Sequence, residues 1–179
     1  MRVVGGSARG RRLKRPPAGV RPTADMVREA IFDVLATQGA DLSRVLDVYA
    51  GSGALGIEAL SRGGGRCDFV EREAASAALI RENLAAADLL GRGTVHRLAA
   101  VRAPERLQGP YSLILADPPY NDEAAPGTME QIARSGLVGP ETTLVLEHSA
   151  RREPPPELGP LPLAWSRRYG DTRVSIYRR

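Results

Sequence analysis

The segment RVLDVYAGSGALGIEAL, residues 44–60, joins an apolar run to three closely spaced glycines and then to residues that favour a helix. Gly51, Gly53 and Gly56 have the spacing G-x-G-x-x-G. Such glycines let the backbone approach a ligand closely, while the N–H groups at the start of the helix face it. We therefore predict a buried strand, a ligand-binding loop and a helix.

An acidic residue ends the next predicted strand. Glu71 closes the run CDFVE and is placed to accept hydrogen bonds from ribose hydroxyls. Asp47, near the end of the first strand, would repel a pyrophosphate but attract a cofactor that carries an ammonium and a sulfonium group. S-adenosylmethionine carries both groups. The glycine spacing alone leaves a nicotinamide dinucleotide open, because dinucleotides use the same fingerprint.

Short apolar strands alternate with helices along most of the chain. Strands are predicted in RVLDVYA, CDFVE, TVHRLA, YSLILA and TTLVLEHS, and helices in ALGIEALSRG, EAASAALIRENLAAADLL and EAAPGTMEQIARSG. This pattern predicts an α/β fold whose mostly parallel sheet is covered by helices on both faces. An amphipathic helix in TADMVREAIFDVLATQG, opened by Thr23 or Asp25, precedes them. The closing segments LAWSRRYG and TRVSIYRR predict an antiparallel hairpin.

The segment LILADPPYND, residues 113–122, ends a buried strand with an acid, two prolines and a tyrosine. Because Pro118 and Pro119 cannot donate to a sheet ladder, they leave the sheet as a stiff turn, with Asp117 at the strand's edge. Unused carbonyls, the acid and the Tyr120 ring then form a clamp that suits a planar group with an amine. Ligands bind beyond the carboxyl ends of parallel strands near the switch in strand order. We expect this turn and the glycine loop to share one crevice.

Composition narrows the class of protein. The chain has 179 residues and 42% hydrophobic residues, which predicts one domain, and it shows neither a signal peptide nor a membrane span. Cys67 is the single cysteine, which fits a reducing cytoplasm. His96, His148 and Cys67 do not have the spacing of metal ligands, so we predict no metal site.

The basic residues are concentrated at the two ends of the chain. Residues 1–28 carry a net charge of +7 and residues 164–179 carry +4, whereas the whole chain carries +4. Basic ends around an acidic body are expected when a polyanion is bound beside a catalytic centre. We predict a Gly- and Pro-rich hairpin or extended arm in residues 1–22 and expect residues 1–15 to be removable without unfolding the rest. The predicted RNA contacts are Arg9, Arg11, Arg12, Lys14, Arg15, Arg167 and Arg168.

Several segments together resemble the RsmD family of 16S ribosomal RNA methyltransferases, which methylate a guanine at its exocyclic N2. They are RVVGGSARGRRL, RPTADMVREAIFDVL, LDVYAGSGALGIEALSRG, DPPY and RRYGDTRVSIYRR, and they span nearly the whole chain. The resemblance implies a Rossmann-like class I methyltransferase fold in residues 23–179, with a seven-stranded sheet whose last strand is antiparallel. It implies S-adenosylmethionine as cofactor and ribosomal RNA, free or in an assembling small subunit, as partner of a cytoplasmic monomer.

The resemblance also implies site residues. Catalysis is expected at Asp117, Pro118, Pro119 and Tyr120, and cofactor contacts at Thr23, Asp47, Ala50, Gly51, Ser52, Gly53 and Glu71. Such enzymes often place an acid against the adenine after the third strand, where this chain has Ala99 and Ala100. Two alternatives stay open. A DNA adenine-N6 methyltransferase shares DPPY but needs a target-recognition region, and a dinucleotide-dependent oxidoreductase or nucleotide-binding module has no need for DPPY.

Overall fold

Apolar runs form the strands of one sheet in the computed structural model, which describes residues 1–15 and 25–179. The strands in these ranges are β1 (Arg44–Val48), β2 (Arg66–Glu71), β3 (Gly93–Arg97), β4 (Tyr111–Ala116), β5 (Val138–Ser149), β6 (Glu157–Leu158), β7 (Leu161–Tyr169) and β8 (Thr172–Tyr177). Their order across the sheet is β3-β2-β1-β4-β5-β8-β7-β6. Strands β1 to β5 are parallel to one another, whereas β8 is antiparallel to both β5 and β7.

The strand order determines where a ligand can bind. From β1 the chain builds β2 and β3 on one side and then starts β4 on the other side, so the order reverses between β1 and β4. At such a switch point a crevice forms beyond the carboxyl ends of the strands. Val48 pairs with Ala116, and both are the last residues of their strands. The loops that begin at Tyr49 and Asp117 therefore leave the sheet side by side.

Helices cover both faces of the sheet. They are α1 (Asp25–Thr37), α2 (Ala54–Ser61), α3 (Ala74–Ala86), α4 (Ala103–Arg106) and α5 (Ala125–Ala133). One core layer joins α1, α2 and α3 to the sheet and includes Ile31, Leu60, Phe69, Ile80 and Leu115. The opposite layer joins α4 and α5 to the sheet and includes Leu46, Ala103, Ile114, Met129 and Ile132. Burial on both faces explains why the parallel strands are apolar throughout.

The predicted class I methyltransferase fold is confirmed. The five parallel strands, the helices on both faces and the terminal antiparallel hairpin of β7 and β8 all lie where the sequence indicated. The sheet also gains a two-residue strand beyond the seven expected. The Pro-rich connector turns back at Gly159, which has φ of 57°, and this turn lets Glu157 pair with Pro162 at the sheet edge.

Residues 1–15 form a small hairpin that packs onto the helical layer. Arg2 and Arg12 pair as an antiparallel bridge, and the Val3 N–H donates to the Arg11 carbonyl at 3.0 Å. The apolar side chains of Val3, Ala8 and Leu13 are 1%, 2% and 5% exposed and belong to the main core. The hairpin is therefore part of the packed body.

Buried charges also join the hairpin to the helices. Glu58 on α2 is fully buried and accepts a hydrogen bond from the Val4 N–H at 2.9 Å. Arg28 on α1, also fully buried, donates to the Arg2 carbonyl at 2.6 Å. Deleting residues 1–15 would remove these two hydrogen bonds, and a buried polar group left unsatisfied costs about 1–3 kcal/mol, or more when it is charged. We therefore expect that the chain without residues 1–15 is destabilised, contrary to the expectation from the sequence that it folds alone.

The division into an arm of residues 1–22 and a catalytic domain of residues 23–179 stays a prediction. Residues 16–22 of that arm, and Thr23, lie outside the described residues. Across the ranges that the structure does describe, no helix is both long and apolar enough to span a bilayer.

Candidate active site

A cavity of about 590 Å³ opens beyond the carboxyl ends of the central strands. Its walls bring together two groups of predicted residues. The first, called here the glycine half, contributes Asp47, Ala50, Gly51, Ser52 and Glu71. The second, called here the DPPY half, contributes Asp117, Pro118, Pro119 and Tyr120. The structure thus brings the glycine loop and the DPPY turn to one crevice, while the roles of the single residues remain predictions.

The loop of the glycine half turns sharply because three of its residues have a left-handed backbone. Tyr49, Gly51 and Gly53 have φ values of 60°, 55° and 78°. Glycine adopts such angles freely, but a tyrosine there is strained, as residues at functional sites often are. The Gly53 N–H donates to the Ala50 carbonyl at 2.7 Å and closes the turn. The left-handed residues and this hydrogen bond together fix the shape of the loop.

Two glycines of the fingerprint allow close packing behind the loop. Gly53 is the N-cap of α2, and a Cβ there would lie 3.1 Å from Ile80 on α3. A Cβ at Gly56 would lie 2.4 Å from the ring of Phe69 on β2. Close helix–strand packing is the expected role of the third glycine in this fingerprint. Gly53 therefore shapes the turn, and its contact with a ligand stays a prediction.

Asp47 is a buried carboxylate at the bottom of the cavity. Its side chain is 1% exposed, and Oδ2 accepts the Gly56 N–H at 2.9 Å, which satisfies a donor in the first turn of α2. Burial raises the pKa of the Asp47 carboxyl well above its ordinary value, and the nearby Asp117 and Glu71 raise it further. Three carboxylates around one cavity favour a cationic ligand over a pyrophosphate.

Glu71 holds the loop through its carboxylate. Oε2 accepts the Gly51 N–H at 2.8 Å, and Oε1 accepts the Glu73 N–H at 2.8 Å. An ionised carboxylate offers about four lone-pair sites, so each oxygen can accept a further hydrogen bond. Glu71 can therefore fix the loop and still accept hydrogen bonds from ribose hydroxyls as predicted.

The DPPY half leaves β4 as a stiff turn. Pro118 is buried and Pro119 is exposed. The Pro119 carbonyl accepts the Asp122 N–H at 2.9 Å, so it closes the turn, and the role of the Pro118 carbonyl as an acceptor of the clamp stays a prediction. The Tyr120 hydroxyl shares a hydrogen bond of 2.6 Å with Oγ1 of Thr172, the first residue of β8. This bond fixes the direction of the ring.

An apolar wall forms the side of the cavity next to β3. It consists of Leu98, Ala99, Ala100 and Val101. Ala99 and Ala100 stand where related enzymes often carry an acid, and here both of them line the cavity as methyl groups. An apolar wall with a few polar groups elsewhere is typical of a pocket that binds a flat heterocycle.

The residues of the cavity wall that sequence reasoning missed include Tyr49, Asn121 and Glu147. The Tyr49 hydroxyl bonds to Thr128 on α5, and burial raises the pKa of Tyr49. Glu147, 5% exposed, lies near the end of β5. The acid within TTLVLEHS was an available signal, because acids are almost never fully buried unless they are paired. No sequence signal marked Tyr49, because its partner Thr128 lies in a distant segment of the chain.

The predicted RNA contacts of the hairpin are exposed, but they do not line the cavity. The Ala8 N–H donates to Ser61 Oγ at 2.9 Å, and Ser61 is the last residue of α2. Eight helical residues span about 12 Å, so the turn that carries Arg9 lies roughly one helix length from the glycine loop. Arg11 donates to the Ala86 carbonyl at the end of α3, and Lys14 pairs with Glu82.

The two predicted contacts on β7 make different interactions. The Arg167 guanidinium lies 5.5 Å from the centre of the Tyr169 ring. Arg168 Nε donates to the Gly170 carbonyl at 2.7 Å. Because neighbouring residues of a strand point to opposite faces, one RNA segment lying on one face would contact only one of the two arginines.

Comparison with known proteins gives consistent matches over the whole chain. A family model described as "Conserved hypothetical protein 95" matches residues 1–178. YlbH of Bacillus subtilis (strain 168) is 36% identical to this chain over 100% of this chain and 99% of its own. Ribosomal RNA small subunit methyltransferase D of Escherichia coli (strain K12) is 32% identical over 93% of this chain and 81% of its own.

The solved structures agree with these matches. The Escherichia coli protein yhhF superposes with a TM-score of 0.87 and 30% sequence identity. The superposition covers 100% of this chain and 97% of that chain. The similarity therefore includes the hairpin of residues 1–15 as well as the sheet and both halves of the cavity.

Proposed function

The chain belongs to the RsmD family, and from this premise we propose that it transfers a methyl group to the exocyclic N2 amine of a guanine in 16S ribosomal RNA. The observation that carries the proposal is the single cavity that holds both the glycine half and the DPPY half. The glycine half binds the methyl donor, and the DPPY half binds the target base. The reaction takes place in the cytoplasm, and one chain supplies both halves.

S-adenosylmethionine fits the glycine half by charge and by shape. When bound, it supplies an electrophilic methyl group. Asp47 and Glu71 would form an anionic environment for its ammonium and sulfonium groups. Glu71 would accept hydrogen bonds from its ribose, and the wall from Leu98 to Val101 would contact its adenine. A nicotinamide dinucleotide would place a pyrophosphate among the same carboxylates, so these residues do not favour the oxidoreductase alternative.

The DPPY half makes the target amine reactive. The lone pair of an exocyclic amine is delocalised into the base, so this nitrogen is a poor nucleophile. Hydrogen bonds from the amine to Asp117 and to the Pro118 carbonyl favour a pyramidal nitrogen whose lone pair is available. The Tyr120 ring would stack on the base, which contributes about 1–3 kcal/mol per base in comparable sites.

Asp117 acts in this proposal as a hydrogen-bond acceptor and not as a strong base. As the new C–N bond forms, the bond between the methyl carbon and the donor's sulfur would break and leave a neutral thioether. The methylated amine is then cationic and readily releases a proton to water. Asp117 therefore needs only to hold the amine in place and to stabilise the positive charge that develops on it.

Methyl transfer from tritiated S-adenosylmethionine tests the proposal. The substrate is total ribosomal RNA from a strain that lacks the gene, with free RNA and small subunits compared and double-stranded DNA included. We expect label at guanine N2 in 16S RNA with the wild-type protein and labelling at least about a hundredfold slower with Asp117→Ala. Label on DNA adenine would favour the DNA methyltransferase alternative, and binding of the donor without transfer to any RNA would refute the proposal.

A further inference from the structure

A second cavity, of about 430 Å³, adjoins the active site. It shares Tyr120 and Asn121 with the first cavity, so the Tyr120 side chain borders both. Its other walls are Ser149, Arg151, Arg152 and Asp171. The volume lies within the range of about 300–1,000 Å³ that is typical of ligand sites.

The walls of the second cavity are held in place by backbone hydrogen bonds. The Ala150 N–H donates to the Asp171 carbonyl at 2.8 Å and joins the end of β5 to the turn between β7 and β8. The Arg152 N–H donates to the Ser149 carbonyl at 3.1 Å and closes a tight turn. The two arginines therefore project from a fixed backbone beside the Tyr120 ring.

The guanidinium groups of Arg151 and Arg152 differ from their basic neighbours. Arg173 pairs with Glu153 at 2.9 Å, and Arg168 donates to the Gly170 carbonyl at 2.7 Å. Within residues 1–15 and 25–179, the side chains of Arg151 and Arg152 make no hydrogen bond or ion pair, and both are exposed. Asp171 is the single carboxylate among the residues that line this cavity, so its walls carry a net positive charge.

We propose that the second cavity binds the RNA strand next to the target nucleotide, with Arg151 and Arg152 contacting its phosphates. This inference rests on the proposed function. A base that is extruded into the active site past Tyr120 leaves its flanking phosphates at the mouth of that site. A guanidinium fork matches the oxygens of a phosphate and forms charge-assisted hydrogen bonds with them. The position beside Tyr120 makes these arginines better placed for such contacts than the hairpin of residues 1–15.

The double variant Arg151→Gln, Arg152→Gln tests the inference. We expect the KM for RNA to rise about tenfold, with kcat at saturating RNA and the Kd of S-adenosylmethionine within twofold of wild type. The slope of log RNA affinity against log salt concentration should become shallower by up to about 1.4, because each phosphate contact in a single strand contributes about 0.7. The double variant with lysine at both positions should restore the salt slope, because it restores the charge.

The matched control is Arg66→Gln, Arg106→Gln, which removes the same charge from two exposed positions away from both cavities. It should leave the KM and the salt slope near wild type. The inference is contradicted if the control pair raises the KM as much as Arg151→Gln, Arg152→Gln does. It is also contradicted if Arg151→Gln, Arg152→Gln lowers kcat without changing the KM. Failure of the proposed function is a separate result, since the wild-type protein would then methylate no RNA while filter binding still reports the salt slope.

Discussion

The two halves of the active-site cavity are built in different ways. In the glycine half, the Gly51 N–H of the loop bonds to Glu71 at the end of the neighbouring strand β2, and the Gly56 N–H in the first turn of α2 bonds to Asp47 on β1. In the DPPY half, the ring of Tyr120 is directed by Thr172, which lies 52 residues further along the chain. The glycine half is therefore complete once β1, β2 and α2 have formed. The DPPY half also needs β8, which lies two strands away from β4 in the sheet.

This difference separates the expected effects of mutations. Changes in the glycine half should weaken donor binding, because its carboxylates shape the loop and attract a cation. Changes in the DPPY half should lower turnover and leave donor binding almost intact, because its acceptors meet the target amine. Variants that mix the two effects would show that the halves are coupled.

The largest effect is expected for Asp117→Ala. The variant removes the side-chain acceptor of the amine clamp, so kcat should fall by about 10²–10³-fold, as when one preorganised hydrogen-bonding group is removed from other enzymes. The Kd of S-adenosylmethionine, measured by calorimetric titration, should stay within about threefold. Glu123→Ala, a change at an exposed acid six residues along, is the control. Near-native turnover of Asp117→Ala would show that the clamp mechanism is wrong.

The second effect is a loss of donor affinity in Glu71→Ala. Removing the carboxylate leaves the Gly51 N–H and the donor's ribose hydroxyls without an acceptor, which costs about 1–3 kcal/mol of binding free energy. Titration should therefore show Kd rising about fivefold to 150-fold, whereas Glu29→Ala, a change at an exposed acid on α1 away from both cavities, should have little effect. Unchanged affinity in Glu71→Ala would mean that the ribose is held elsewhere.

The same contrast decides how much of the site the sequence could predict. The parallel sheet, the switch point and the glycine loop follow from apolar runs and glycine spacing, both of which are local. The role of Pro119 in closing its own turn and the partner of Tyr120 depend on contacts that no spacing encodes. The hairpin shows the same limit. Its charge was visible in the sequence, whereas the burial of Val3, Ala8 and Leu13 required the packed helices.

A third effect concerns pH and Asp47. Burial raises the pKa of Asp47, so ionising it opposes folding, and the stability present below the ordinary aspartate pKa is lost as the pH rises through the raised value. A cationic donor favours the ionised form of Asp47, so donor affinity should increase with pH by up to about tenfold per pH unit. The increase should stop once the pH exceeds the pKa of Asp47 in the ligand-free protein.

Asp47→Asn tests this linkage. The amide oxygen can still accept the Gly56 N–H, so the variant should fold and should melt at a higher temperature than wild type at neutral pH. Its donor affinity should be lower and nearly independent of pH. A pH dependence equal to that of wild type would assign the titration to another group.

A smaller effect is expected for Tyr120→Phe. The variant keeps a ring for stacking but loses the hydrogen bond to Thr172, which is worth about 0.5–1.5 kcal/mol, so kcat/KM should fall about twofold to tenfold. Thr172→Val should have a similar effect, and the double variant should be no worse than either single variant if the bond acts only by directing the ring. Additive losses would show that each hydroxyl has a separate role.

The smallest effect is expected for Arg9→Gln, Arg12→Gln in the hairpin. Both side chains are exposed and neither lines the cavity, and the turn that carries Arg9 is held at the end of α2, about one helix length from the glycine loop, so we expect these charges to meet mainly RNA that extends beyond the target nucleotide. The donor Kd and kcat should not change, and the KM for RNA should rise about twofold to threefold with a slightly shallower salt dependence. Substitution is the right test because the hairpin contributes Val3, Ala8 and Leu13 to the core, so deletion would confuse RNA binding with unfolding. A KM increase larger than that of Arg151→Gln, Arg152→Gln would place the main RNA contact on the hairpin, and it would mean that the region beside Tyr120 holds the base without holding the strand.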